Sequence, residues 1–100
     1  MDIETVRAKV LSGDFMLSAH ADQAAADENI AIAEIREALL GGEILEQYAD
    51  TGRGSCCLIL GLVRGRPIHV VCGWRRKPLL VITVYIPKPP KFLDPWTRRR

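Results

Sequence analysis

The apolar positions of this chain change period once, and the change divides it. Over the first forty residues they recur at helical spacing. Ile3, Val6, Val10 and Leu11 form one stripe behind Asp2, whose carboxylate suits an N-cap, and Gly13 supplies a stop. Ser18 introduces a second helix over about His20 to Glu28, rich enough in alanine to pack closely, with Asn29 as a left-handed terminator. A third helix spans about Ile32 to Leu40, with Ile32, Ile35 and Leu39 on one face, and Gly41-Gly42 ends it. From Glu43 the period falls to two. Glu43–Tyr48 reads as a short strand with Ile44, Glu46 and Tyr48 on one side, and residues 50–54 as a loop. Three further strands follow: Ser55–Val63, Ile68–Trp74 and Leu79–Ile86, joined by turns at Arg64–Pro67 and Arg75–Pro78. Short connections favour antiparallel neighbours, and Pro87, Pro89, Pro90 and Pro95 make the tail irregular. The pattern predicts an α+β fold, with two or three N-terminal helices packed on one face of a four-stranded antiparallel sheet. Its parts are a helical stretch 1–42, a β-meander 43–87 and a basic, proline-rich tail 88–100.

One hundred residues suit one domain, and 48% hydrophobic with 26% charged residues excludes a disordered chain, because burial can offset the ordering entropy. The longest apolar stretches, Cys56–Val63 and Leu79–Ile86, fall well short of the roughly 20 residues that span a bilayer. The first residues lack the basic and apolar regions of a signal peptide. Charge changes the picture more. The net charge is +2, but residues 1–50 carry a net −8 and residues 51–100 a net +10, with Asp94 the sole acid of the second half. Either the halves attract each other, within the fold or in a homodimer, or the basic half meets an anion such as nucleic acid. Trp74, Tyr85, Phe92 and Trp96 lie among these cations, and interleaved arginines and aromatics suit single-stranded RNA. Cys56, Cys57 and Cys72 form an odd set without a CxxC pair, inside apolar strands. They read as buried thiols in a reducing cytoplasm, not as a disulfide framework or zinc knuckle.

The candidate chemistry centres on His69, in RPIHVVC, and on Thr83 and Tyr85, in ITVYIP. An odd number of residues in the turn between their strands would put all three on one face; an even number would place His69 with Ile82 and Val84 instead. Arg75 joins His69 by period two along its own strand. An imidazole, a phenol and a guanidinium on one face resemble what metal-free RNA cleavage requires: a base for the 2′-hydroxyl, an acid for the leaving oxygen and a cation for the phosphorane. The plainer reading has His69 donating to a backbone carbonyl and Tyr85 plugging the sheet edge. His20, in the first turn of the second helix, reads as a neutral imidazole donating to a nearby carbonyl or as a further acid–base group. Two histidines without a fitting carboxylate spacing make no metal site, and no motif for a cofactor is present. The basic set available to a nucleic acid is Arg64, Arg66, Arg76, Lys77, Lys88 and Arg99, with Trp74 for stacking.

Taken together, His20-Ala21, Gly42–Tyr48, Cys57–Gly61, Arg66–Cys72, Thr83-Val84-Tyr85 and the terminal arginines resemble the family called domain of unknown function 4258, over about Val6 to Arg99. The resemblance implies a fold similar to small toxin ribonucleases of the RelE, BrnT and MqsR kind, and some members of the family resemble toxin partners of small zinc-ribbon antitoxins. Carried over, it marks His20, His69, Tyr85 and Arg98 or Arg99 as recurring polar positions. The sequence departs from the pattern at Ala24, where the helix motif has arginine, and at Asn29, where it has glycine. It departs again at Ile86 and Lys88, where it has acids.

The expectation is a cytoplasmic bacterial protein acting as a toxin-like, RNA-directed ribonuclease without a cofactor. His69 is general acid or base, Tyr85 orients or donates, Arg75 or Arg98 stabilises charge, and an antitoxin is the partner. The alternative is a non-catalytic protein-interaction or RNA-binding module of the same fold.

Overall fold

The computed structural model describes residues 2–48, 54–74 and 78–98, with the side chain of Trp74 left aside. Three helices come first. Helix α1 (Ile3–Leu11) starts where the Asp2 carboxylate accepts from the Thr5 N–H at 2.9 Å. It ends in a Schellman motif: Gly13, at φ +76°, donates to Val10 O, and Asp14 to Lys9 O. Helix α2 (Ala19–Asp27) is capped by Ser18 and closes the same way, with Asn29 at φ +56° donating to Ala26 O and Ile30 to Ala25 O. Ala21 and Ala25 are its buried face. Helix α3 (Ile32–Gly41) has no capping side chain of its own, but the Glu34 carboxylate accepts from the Ala31 N–H at 2.9 Å.

The sheet differs from the predicted one. It has five strands in the order β1-β5-β4-β3-β2, and it is mixed. The unpredicted strand is β1 (Phe15–Leu17), which lies parallel to β5 (Leu79–Tyr85). A strand of three residues is too short to show a period of two. The predicted meander forms the rest: β2 (Glu43–Tyr48), β3 (Ser55–Val63) and β4 (Arg66–Trp74) are successive antiparallel neighbours, with β5 antiparallel to β4. The β3–β4 turn is tighter than expected. Arg64 and Gly65 both have positive φ, 54° and 76°, so a two-residue hairpin closes on Val63 and Arg66. Pro67 therefore sits inside β4, at a point where that strand pairs only with β3.

Two bulges decide which side chains share a face. The pairs Val71↔Thr83 and Cys72↔Val81 leave Ile82 unmatched in β5. The pairs Ile44↔Ile59 and Glu46↔Leu58 leave Leu45 unmatched in β2. Ile44 consequently points with Ile59 into the helical core, while Glu46 and Tyr48 turn to the opposite face, which corrects the expectation that all three share a side.

The helices cover one face of the sheet. Val6, Val10, Ala21, Ala25, Ile35, Ala38 and Leu39 meet Cys57, Ile59, Ile68, Val70, Cys72, Val81 and Val84 in one cluster. The closest approach is at Gly61, where an added Cβ would lie 2.4 Å from Ala38 Cα. The other face is covered in part by the tail, which up to Arg98 is regular where irregularity was expected: β6 (Phe92–Asp94) and β7 (Thr97–Arg98) form a small hairpin. Asp94 fixes its turn by accepting from the Trp96 N–H at 2.8 Å. Among the described residues no helix is long and apolar enough to cross a membrane.

Candidate functional site

The second face of the sheet carries the acid–base groups. Pairing of His69 with Tyr85 and of Val71 with Thr83 places His69, Thr83 and Tyr85 together. Loop parity alone would have given the opposite result, since six residues separate the paired Gly73 and Leu80; the bulge at Ile82 reverses it. That bulge is held from outside the sheet, because Ser18 Oγ donates to Ile82 O at 2.9 Å while also accepting from the Ala21 N–H. One serine thus caps α2 and pins the irregularity that orients Thr83 and Tyr85.

His69 is fully buried, the one buried polar or charged side chain among the described residues. Its Nε2 lies 2.7 Å from Pro95 O and its Nδ1 3.3 Å from Tyr85 Oη. A carbonyl oxygen can only accept, so Nε2 carries the proton and Nδ1 accepts from the phenol. Burial pushes the imidazole below its ordinary value, against the opposing effect of the Pro95 carbonyl, and it is neutral at pH 7. Burial likewise raises the Tyr85 phenol, which stays protonated.

The tail forms the roof. The Phe92 ring meets His69 edge-on at 4.5 Å between centroids and lies 6.3 Å from Tyr85. The Arg98 guanidinium stands 4.8 Å over Phe92 and binds Glu46 through two bonds of 2.9 Å. That pair holds the Glu46 carboxyl down at about 2, with a further bond from Tyr48 helping and burial opposing. Trp96 Nε1 donates to Glu43 at 2.7 Å, a second tie between tail and β2. Lys91 lies 5.9 Å over the Tyr85 ring.

At the open end of the row, His20 Nε2 is 3.1 Å from Thr83 Oγ1. His20 is exposed, at the start of α2 where β1 has ended and β5 is left without its neighbour. Thr83 and Tyr85 are two residues apart on one strand, about 7 Å along it. The polar row therefore runs from exposed His20 through Thr83 and Tyr85 to buried His69.

Of the sequence-derived candidates, the fold brings His69, Tyr85 and Arg98 together and sets His20 at the end of the same row. Arg75 lies outside the described residues, as do Arg76, Lys77 and Arg99, and nothing is described of the Trp74 side chain. Arg64 is exposed in the β3–β4 turn. Arg66 binds Glu34 at 3.1 Å and also donates to Asn29 O. Lys88 pairs with Glu28 at 3.6 Å. Hence Arg66, Lys88 and Arg98 all bind acids of the first half, and part of the charge asymmetry is neutralised within the fold. Sequence reasoning named neither Glu46 nor Pro95 as a site residue, and it noted Phe92 only as one of four aromatics among the cations of the second half. Their only signal was an acid in an alternating strand and an aromatic among prolines. Among the described residues no three His, Cys, Asp or Glu side chains group as metal ligands.

Residues 17–86 match the family described as Domain of unknown function (DUF4258), and the chain belongs to that family. No curated protein and no solved structure matches the chain. The matched segment contains the whole polar row and Glu46, while Phe92, Pro95, Trp96 and Arg98 follow it.

Proposed function

We propose that this protein is an RNA-directed endoribonuclease of the toxin type, with a fold of the RelE, BrnT and MqsR kind and an antitoxin as partner. The observation that carries the reading is the row of acid–base groups that the β4–β5 register assembles, with an imidazole at each end and Tyr85 between. Metal-free cleavage of RNA needs a base to take the 2′-hydroxyl proton as that oxygen attacks phosphorus, and an acid to protonate the departing 5′-oxygen. A neutral imidazole suits the first task. A second imidazole, or a phenol that keeps its proton, suits the other. Arg98 stands over the Phe92 ring at the buried end and would stabilise the phosphorane once parted from Glu46. In the conformation described, the tail covers His69, so its chemistry belongs to a state in which the tail has moved.

The test is induced expression with an RNA-integrity assay, comparing wild type with His20→Ala and Tyr85→Phe, two changes that leave the core intact. Growth arrest and cleavage by wild type, lost in the variants, are expected. Intact RNA and unchanged growth with wild type would remove the reading. The ion pairs from Arg66, Lys88 and Arg98 to the first half favour a second reading, a non-catalytic interaction module of the same fold. Its signature is partner binding without any RNA product.

A further inference from the structure

The tail does more than close a face: it fills a site. Phe92 is the largest fully buried side chain among the described residues, and it lies outside the hydrophobic core formed with the helices. Its ring meets an imidazole edge-on and lies tilted beside a phenol, beneath a guanidinium, with the buried leucines Leu58 and Leu60 on the same sheet face. Beside it, a backbone carbonyl of the same hairpin takes the one N–H that His69 offers. A planar ring stacked under arginine, with an acceptor beside it for an imidazole N–H, is how an unpaired nucleobase is held. The floor and walls of this pocket, His69, Tyr85, Leu58, Leu60 and Glu46, all lie within the segment that matches the family; the occupant does not.

We propose that the C-terminal hairpin occupies, in cis, a pocket for an unpaired base of RNA, with Phe92 in the place of the base and Pro95 O in the place of its hydrogen-bond acceptor. This rests on the RNA-directed reading above and adds its ligand and its control. RNA and tail compete for one pocket. Opening it requires release of the Arg98–Glu46 and Trp96–Glu43 ties. Release leaves Arg98 without its carboxylate, as a free cation beside the incoming strand.

The experiment uses the full chain and a short fluorescein-labelled single-stranded RNA of mixed sequence, read by anisotropy. The His69 ring nitrogens are followed by NMR in parallel. Phe92→Ala empties the pocket and is expected to tighten RNA binding about tenfold, with a shift of the His69 Nε2 resonance on binding. Phe92→Leu refills it and is expected to stay near wild type. Equal affinity of wild type and folded Phe92→Ala, or a gain that leaves the His69 resonances unmoved, overturns the pocket while the RNA-directed reading stands. Absence of RNA binding by every form overturns both. Should Phe92→Ala fail to fold, Glu46→Gln loosens the same hairpin from its clamp; affinity rising above wild type supports the proposal, and affinity unchanged refutes it.

Discussion

Replacing Glu46 by glutamine removes the carboxylate that holds Arg98, and with it the main polar tie of the tail. In the folded protein the Glu46 carboxyl lies at about 2, against an ordinary 4.5, chiefly because Arg98 bonds to it. If the whole displacement acted on folding it would amount to about 3 kcal/mol. The two side chains are 28% and 38% exposed, so water and salt screen the pair, and about 1 kcal/mol is the magnitude to expect. The sign follows from the direction. A depressed carboxyl contributes stability that is present above 4.5 and is lost as the pH falls toward 2. Other carboxylates titrate in the same window, so the measurement is a difference. Denaturant unfolding of wild type and Glu46→Gln is compared at about pH 6 and about pH 2.5, where wild type should lose about 1 kcal/mol more than the variant. Equal losses in the two proteins, or a Glu46 carboxyl that titrates near 4.5 by NMR, would refute the clamp.

Three further outcomes test the frame around the site. Gly61→Ala drives a methyl into Ala38 of α3, 2.4 Å from its Cα, and should destabilise the fold by about 1–3 kcal/mol in thermal unfolding. Ser18→Ala removes both the α2 cap and the bond to the Ile82 carbonyl; a loss of about 1 kcal/mol is expected, with amide resonances of Ile82 and Thr83 moving while those of β3 stay in place. In a Tyr85→Phe background, ultraviolet difference titration should place the Tyr48 phenol near 12, raised by burial and by the Glu46 carboxylate, and Glu46→Gln should bring it down.

The helices were legible because their ends are written locally. Asp2, Ser18, Gly13 and Asn29 each act within a turn of their own position, and each does in the structure what its type dictates. The meander was legible for the same reason, through the breaks at Gly54, Arg64-Gly65 and Pro78. Strand β1 was not, since what makes Phe15–Leu17 a strand is the waiting edge of Leu79–Val81, more than sixty residues away. The shared face of His69, Thr83 and Tyr85 was one of two open alternatives. The deciding feature, a bulge at Ile82, has no residue signal in a run of ordinary strand formers. The tail was the largest surprise. Four prolines argue against a strand locally, yet Phe92 finds a ring-lined hollow and Arg98 a carboxylate, both supplied by distant strands.

The two bulges also set how this protein can vary. Strands β3 and β4 run in unbroken register, and each outer neighbour slips once against them, at Leu45 and at Ile82. Before its slip each outer strand sends its inward residues, Ile44 or Val81, to the helices; after it, the same sequence parity sends Glu46 and Tyr48, or Thr83 and Tyr85, to the tail. One strand therefore serves two masters in succession. Substitutions in its far half can remodel what the polar face recognises while the near half keeps the fold. Were the bulge absent, Ile82 would pair with Val71 and Val84 with His69, and the threonine and the tyrosine would trade places with these apolar neighbours across the whole thickness of the sheet.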